Sequence, residues 1–451
     1  MKKNLTVCSM IVFLTVMVHV SFAAAPANTI TFNGKDYYIN GINVPWNAFG
    51  SDVGTHYQWG PLYDSTYFST LFQACKSGGV NCVRLWIHCD GRTSPEFDDS
   101  GYVTGLDTNF LSNFDDILRI AQENNVMVMP CLWSFDMTKD FTATAGKYGG
   151  MHANLIQDTL KTRSYINNAL VPMVQHLANR CNLFAYEIIN EPEWSISGPG
   201  TTVQLVSAQE MVRFCGMVAE AIHANSNAMV TVGSACLKWC SSRQPPATDF
   251  YWSDSSFKAA YDKPGAYLDF YQIHYYDWMF NADWGYDPFQ STKTPEYWNL
   301  DKPTLIGESP GVKGNYTVKQ MVDMAYTNGY AGIMPWSYDS VDIYGSWNSC
   351  KSELREFYDA HSSLIDFTCG TSPIVNKSRN AISAQVASKA SSAMVFDIQG
   401  KRIGSCVSGD VSRRLQVGNG ILLYQLRDKN NNVVGVRKTV EVHAEGKQVF
   451  E

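Results

Sequence analysis

Short apolar, β-branched runs recur along the chain from residue 41 to residue 338, each followed by a longer segment of mixed polarity. Eight stand out, at 41–46, 81–88, 126–133, 184–192, 229–235, 269–276, 303–309 and 332–338. Their starts lie 29 to 58 residues apart, too far for hairpins and suited to strand–helix units. Two of the intervening segments carry a clear helical stripe. Phe110, Leu111, Phe114, Ile117, Leu118 and Ala121 form one apolar face, and Asn124-Asn125 supplies a stop. Val318, Met321, Val322 and Ala325 form another, with Gly329 just beyond as a cap. Eight near-continuous apolar strands with crossover helices predict a closed parallel (β/α)8 TIM barrel over residues 26–369. Residues 31–39, with an Asn33-Gly34 turn, predict a hairpin that plugs its bottom.

After Cys369 the pattern changes. Residues 370–385 are polar and include Pro373, as in a linker. From there to residue 451 the pattern alternates with period two, at 393–398, 415–417, 421–426 and 433–440, between Gly, Asn and Asp turns. This predicts a small antiparallel β-domain. At the other end, Lys2 and Lys3 precede an apolar run from Leu5 to Val20 that closes on Ala23-Ala24-Ala25. The run is short for a bilayer span and ends at small residues, so a secretory signal over residues 1–25 is expected, leaving a secreted or cell-surface chain without a transmembrane segment.

Charge and composition narrow the functional classes. The 451 residues carry 35 basic and 42 acidic side chains, a formal charge of −7, so nucleic acid is not an expected partner. The charge is uneven: residues 26–377 hold 22 basic against 36 acidic groups, whereas residues 378–451 hold 11 against 6. All 12 Trp fall between Trp46 and Trp347. Flat amphipathic rings in that number suit stacking on sugars and also suit a large core. Ten Cys lie between Cys75 and Cys369, which export would permit to pair in a connectivity that spacing leaves open. Neither Cys236-x3-Cys240 nor Cys82-x6-Cys89 has the paired spacing of a zinc site, so no metal is expected, and no organic cofactor.

In such a barrel, functional groups project from the C-terminal ends of the strands. The fourth run reads Ala185-Tyr186-Glu187-Ile188-Ile189-Asn190-Glu191-Pro192, and the seventh Thr304-Leu305-Ile306-Gly307-Glu308. Each pushes a carboxylate out of an apolar strand, and the two face one another across the mouth. Glycoside hydrolysis needs such a pair, one acid to protonate the leaving oxygen and one carboxylate to attack or stabilise the sugar cation.

Asn190-Glu191-Pro192 together with Glu308 resembles glycoside hydrolase family 5, in clan A. Arg84 in Val83-Arg84-Leu85-Trp86 resembles the family arginine of the second strand, His274 and Tyr276 its His-x-Tyr pair, and Trp336 its eighth-strand tryptophan. The resemblance spans residues 30–365. It implies Glu191 as acid/base and Glu308 as nucleophile, with Arg84, Trp133, Asn190, His274, Tyr276 and Trp336 contacting substrate. Trp133 stands in Leu132-Trp133-Ser134, where many members carry a histidine. Leu85-Trp86-Ile87-His88, Ser94-Pro95 and Gly101-Tyr102-Val103-Thr104-Gly105 are similar to the β-mannanases of molluscs and related sequences. The implied activity is a secreted, monomeric, retaining endo-β-1,4-mannanase that cleaves mannan, glucomannan or galactomannan. An endo-β-1,4-glucanase on the same scaffold, or a non-catalytic surface glycan binder, are the alternatives.

On this reading Glu191 must hold a proton near neutral pH, through burial and the charge of Glu308. Glu308 must stay ionised beside Arg84 and the Tyr276 hydroxyl. Glu187, deeper on the same strand, is expected as a buried partner of Arg84, and His88 as either a cleft or a structural histidine. Trp46, Trp194, Trp278 and Trp284 are candidate distal sugar contacts. The terminal domain loosely resembles C-terminal sorting domains of secreted bacterial proteins, which implies a role in export or attachment; the alternative is an appendage that stabilises the barrel.

Overall fold

A computed structural model describes residues 28–369, apart from 57–58, 140–148, 199–203, 244–249, 278–284 and 313, and four strands nearer the C-terminus. The expected signal and linker, and Trp278 and Trp284, lie outside the described residues. Eight strands close into a barrel: Ile39–Val44 (β1), Cys82–Cys89 (β2), Met127–Ser134 (β3), Ala185–Asn190 (β4), Met229–Ser234 (β5), Tyr271–His274 (β6), Thr304–Pro310 (β7) and Gly332–Trp336 (β8). Every neighbouring pair is parallel, and β8 pairs back onto β1 through Gly332↔Ile39. These are the eight predicted runs, each end displaced by no more than two residues. Their side chains are buried on both faces, which is why the runs read as continuously apolar rather than alternating.

The predicted helices form for the reasons their stripes suggest. Phe110–Glu123 buries Phe110, Phe114, Ile117, Leu118 and Ala121 and stops at Asn124, with Asn125 in the left-handed region at φ 58°. Val318–Thr327 opens with a capping box between Thr317 and Gln320 and ends before Gly329 at φ 90°. Strands Ile30–Phe32 and Lys35–Tyr37 pair antiparallel around Asn33 and Gly34, both at positive φ. Phe32 and Tyr37 pack with Phe184, Phe270 and Phe367 at the starts of the strands, so the hairpin does close the bottom of the barrel. The top is left for chemistry.

Residues Ser372–Glu451 form a separate compact unit. Its described part is a four-stranded antiparallel sheet in the order Arg402–Val407, Ser392–Phe396, Gly420–Arg427, Val433–Glu441. Three of these match predicted strands. Arg402–Val407 was not expected, because Gly404 and Ser405 interrupt its apolar alternation, and the predicted strand at 415–417 lies outside the described residues. No helix among the described residues is long and apolar enough to cross a membrane.

Of the ten barrel cysteines, only Cys181 and Cys369 are joined; the other eight are buried thiols. The bond ties the segment before β4 to the end of the barrel and closes a loop with a sequence separation of 188. A crosslink over so long a loop removes much of the freedom of the unfolded chain. Replacing both cysteines by serine should lower the free energy of urea unfolding by roughly 2–5 kcal/mol. An unchanged midpoint would show that the bond adds nothing to stability.

Candidate active site

Arg84 extends from β2 into the barrel interior and is completely buried. All five of its N–H groups are engaged. Nε and one terminal nitrogen grip Glu187 at 2.5 and 2.6 Å. That nitrogen also reaches Asn190 Oδ1 at 2.7 Å, and the other reaches Asn43 Oδ1 at 2.8 Å and Glu308 Oε1 at 2.7 Å. Burial opposes an ionised Glu187, but the Arg84 guanidinium prevails and holds its carboxyl below the usual range. Gln272 on β6 donates to Glu187 at 2.8 Å. Room for this cluster comes from glycines on neighbouring strands. A Cβ on Gly233 would lie 2.2 Å from Glu187 Oε1, and one on Gly307 would lie 2.4 Å from Gln272 Cγ.

Above this base the two predicted carboxylates meet. One oxygen each of Glu191 and Glu308 and a ring nitrogen of His274 lie within 4.8 Å of one another. Glu308, at the top of β7, accepts from Arg84 and from the Tyr276 hydroxyl at 2.8 Å. Burial raises the Tyr276 pKa first, and the adjacent carboxylates raise it further, so the phenol keeps its proton and donates. Burial also raises the Glu308 pKa; His274 and Arg84 oppose this and the charge of Glu191 adds to it. Glu191 follows β4 with φ 47°, an uncommon conformation for a residue bearing a Cβ, and its N–H is tied to Gly233 O at 2.7 Å. Its carboxylate accepts from Trp194 Nε1 at 2.8 Å and sits 2.9 Å from His274 Nδ1.

Burial pushes Glu191 up to about 7, against the Trp194 hydrogen bond and Arg84. Asp136 and Glu187 are the nearby negative charges that push the same way. Desolvation is thus the main cause, rather than the charge of Glu308 alone. His274 is lowered to about 4 by its own burial, so the ring beside Glu191 is neutral near pH 7.

The short helix Glu193–Ser197 positions Trp194, and sequence reasoning did not single out what holds it. Glu193 is buried and accepts from Ser234 Oγ at 2.7 Å, Trp252 Nε1 at 2.6 Å and the Ala235 N–H at 3.0 Å. Burial raises its pKa to about 7 against those three donors.

Trp46, Trp86, Phe135, Asn190, Tyr276 and Trp336 line a cleft of about 240 Å³ over the carboxylates, with Asp342 and Tyr344 at its rim. Trp86 is T-shaped to both Trp46 and Trp336, at 5.3 and 6.1 Å between ring centroids. Trp336 donates its indole N–H to Asp342 at 2.9 Å, and the other Asp342 oxygen accepts the Tyr344 N–H at 2.8 Å. Accepting from Arg84 fixes the Asn190 amide so that its NH2 end points away from the cluster. Trp86, Phe135, Asp342 and Tyr344 were not among the expected contacts, because three of them sit on loops that carry no periodic pattern.

One expectation fails on position, and one of two alternatives is decided. Trp133 is fully buried and packs against His88 at 5.0 Å and Tyr165 at 5.4 Å instead of lining the cleft. The β2–β3 register shifts between Trp86 and Cys89, which breaks the inward alternation and turns His88 and Trp133 under the helices. His88 itself is structural: burial lowers it to about 3, and Phe110, Trp133 and Tyr165 surround it.

The Glu191, His274 and Glu308 group is the one cluster of three potential metal ligands among the described residues. Its carboxylates already face the Arg84 cation and the donors of Tyr276 and Trp194.

Residues 37–349 match the model of the cellulase family, glycosyl hydrolase family 5. The chain is 35% identical over 342 residues to a mannan endo-1,4-beta-mannosidase of Mytilus edulis, covering 71% of this chain and 88% of that protein. A protein of the same name from Cryptopygus antarcticus is 29% identical, over 71% of this chain and 85% of its own length. The solved β-mannanase of Mytilus edulis superposes with a TM-score of 0.65 at 30% identity, over 77% of this chain and 98% of that one. The endo-1,4-beta-mannanase of Eisenia fetida gives 0.64 at 27% identity, over 74% and 94%. With its paired strand-end glutamates and this match across most of its length, the chain belongs to glycoside hydrolase family 5 and is a glycoside hydrolase.

Proposed function

We propose that this is an exported, retaining endo-β-1,4-mannanase that cleaves internal bonds of mannan, glucomannan or galactomannan. The observation that carries the mechanism is the spacing of Glu191 and Glu308, whose nearest oxygens lie within 4.8 Å. So tight a bound on the nearest oxygens favours a direct nucleophile and its partner acid, whose carboxyl groups stand about 5–5.5 Å apart, over inversion, which needs about 6.5–9.5 Å to seat a water. Glu308 attacks the anomeric carbon while the glycosidic C–O bond breaks, and the Glu191 proton passes to the leaving oxygen. Glu191, now a carboxylate, takes a proton from water as that water attacks the same carbon and frees Glu308. Two inversions give retention. The proton belongs on Glu191 because Glu308 is touched by a guanidinium and a phenol, whereas Glu191 has no cation in contact. On this reading the Asn190 amide donates to the sugar 2-hydroxyl and Trp336 forms a stacking wall; both line the cleft, which supports these roles.

The mannan assignment rests on the Mytilus edulis and Cryptopygus antarcticus relatives, both named for that activity. The family description supports a second reading, an endo-β-1,4-glucanase. Export rests on the apolar N-terminal run.

Reducing sugar should be released from locust-bean gum and far less from carboxymethylcellulose. The reverse preference defeats the mannan assignment. Glu308→Ala should reduce turnover of both polymeric and activated substrates to background. Glu191→Ala should cost about 10²–10⁴-fold on polysaccharide and much less in glycosylation by an activated aryl glycoside, whose leaving group needs no proton. Equal losses on the two substrates would reverse or erase the roles.

The pH profile follows from the sign of the Glu191 shift. Its raised pKa keeps the acid protonated up to about 7, so kcat/KM on polysaccharide should fall as pH rises through that value. On the activated glycoside that alkaline limb should flatten. A limb that persists unchanged there assigns it to another group.

A further inference from the structure

Six large apolar side chains are exposed among the described residues, and Trp59 is both the sole aromatic and the most exposed, at 68%. Single exposed apolar side chains are ordinary, so the support beneath this ring, rather than its exposure, is what distinguishes it. Trp59 is held in place. Its ring lies parallel to the buried imidazole of His56, with centroids 4.2 Å apart and planes 12° from each other. The two residues belong to a small hairpin in which Thr55–His56 pairs with Gly60–Pro61. The hairpin is anchored below: Thr55 Oγ1 accepts from Asn109 Nδ2 at 3.0 Å, and Asn113 Nδ2 donates to Val53 O at 3.1 Å. Ser51 and Thr93 hydroxyls meet at 2.7 Å. All these anchors lie on the loop after β2 and the start of the helix it leads to, on the catalytic face of the barrel.

The same loop that carries Trp46 into the cleft therefore continues to a second ring, outside the cleft lining, with one face on His56 and the rest in solvent. A rigid, neutral, flat platform suits the apolar face of a pyranose and loses little entropy when it binds. Residues 26–377 carry 22 basic against 36 acidic groups, which disfavours an anionic occupant. We propose that Trp59 is a carbohydrate-stacking platform outside the catalytic cleft, which holds a neutral polysaccharide strand at a point remote from the bond being cut. The inference rests on the polysaccharide reading above and adds a contact that only a long substrate can reach.

The test uses the full mature chain with Trp59→Ala and Trp59→Phe. Each is assayed on the soluble polymer that the unaltered enzyme cuts, and on a short chromogenic oligosaccharide that spans only the cleavage site. For Trp59→Ala, KM on the polymer should rise about three- to tenfold, the ratio one aromatic contact commands, with kcat nearly unchanged. Both constants on the oligosaccharide should stay as they were, and Trp59→Phe should recover most of the polymer KM. An unaltered polymer KM overturns the platform, and so does an equal loss on both substrates, which would mean a structural ring. A dimer of the unaltered chain that Trp59→Ala converts to monomer in sedimentation would assign the surface to a second copy and also overturn it. If the enzyme cuts only glucan, the mannan reading fails while the same comparison, on carboxymethylcellulose and a cello-oligosaccharide, still decides the role of Trp59.

Discussion

One buried guanidinium organises the top of this barrel. Arg84 is completely removed from water, and an arginine in that position is stable only if every N–H is met and its charge is opposed. Glu187 and Glu308 supply the charge, and Asn43 and Asn190 supply neutral acceptors, so side chains from β1, β2, β4 and β7 are fixed around a single planar group. Asn43 in turn donates to Gly307 O and Met334 O, at 2.9 and 2.8 Å, and so clamps β1 to β7 and β8. Removing any one of these partners would leave a buried charge or donor exposed to nothing, which is why the constellation holds as a unit.

On the proposed mechanism, the same arrangement separates two chemically identical side chains into different roles. Burial raises the pKa of both glutamates, so burial cannot decide which carries the proton. Their contacts decide. Glu308 is gripped by Arg84 and Tyr276 and has little freedom to move. Glu191 stands beyond the strand at positive φ, leaned on by Trp194 and His274, and its carboxylate keeps 14% exposure toward the cleft. An anchored, charge-compensated carboxylate suits attack, and a partly exposed, desolvated acid suits proton delivery.

Most of this frame is legible in the sequence, for a definite reason. Barrel strands buried on both faces must be continuously apolar, so Glu187, Glu191, Glu308 and Arg84 stand out against Ile188, Ile189, Leu305 and Leu85 as groups with no business there unless they meet each other. Glu187 does partner Arg84 as expected, although a register shift between Glu187 and Asn190 brings Asn190 to the same guanidinium. Parity fails where the pleat fails. The register shift after Trp86 turns His88 and Trp133 away from the mouth, and nothing in Leu85-Trp86-Ile87-His88 marks that shift. Glu193 escaped notice because its partners, Ser234, Ala235 and Trp252, are brought to it only by the closure of β4 against β5 and the loop beyond.

The division between strands and loops has a consequence for specificity. The two carboxylates stand at or just beyond strand ends, with Glu308 held by Arg84, so they can vary little without loss of the cluster. The walls of the cleft come partly from strands, through Trp86 on β2 and Trp336 at the end of β8, and partly from loops. Trp336 is steadied by Asp342, Tyr344 packs on Tyr276 at 5.0 Å between centroids, and Phe135 and Trp46 enter from the loops after β3 and β1. Loop residues face no requirement of barrel closure and can be exchanged while the carboxylates stay in place. Discrimination between mannan and glucan turns on one axial hydroxyl, and a site rejects the wrong epimer only by leaving a polar group unpaired or a wall in contact. On the proposed reading that hydroxyl meets Asn190, which Arg84 holds, so the choice falls to Asn190 together with the rim residues that decide how the ring lies against it.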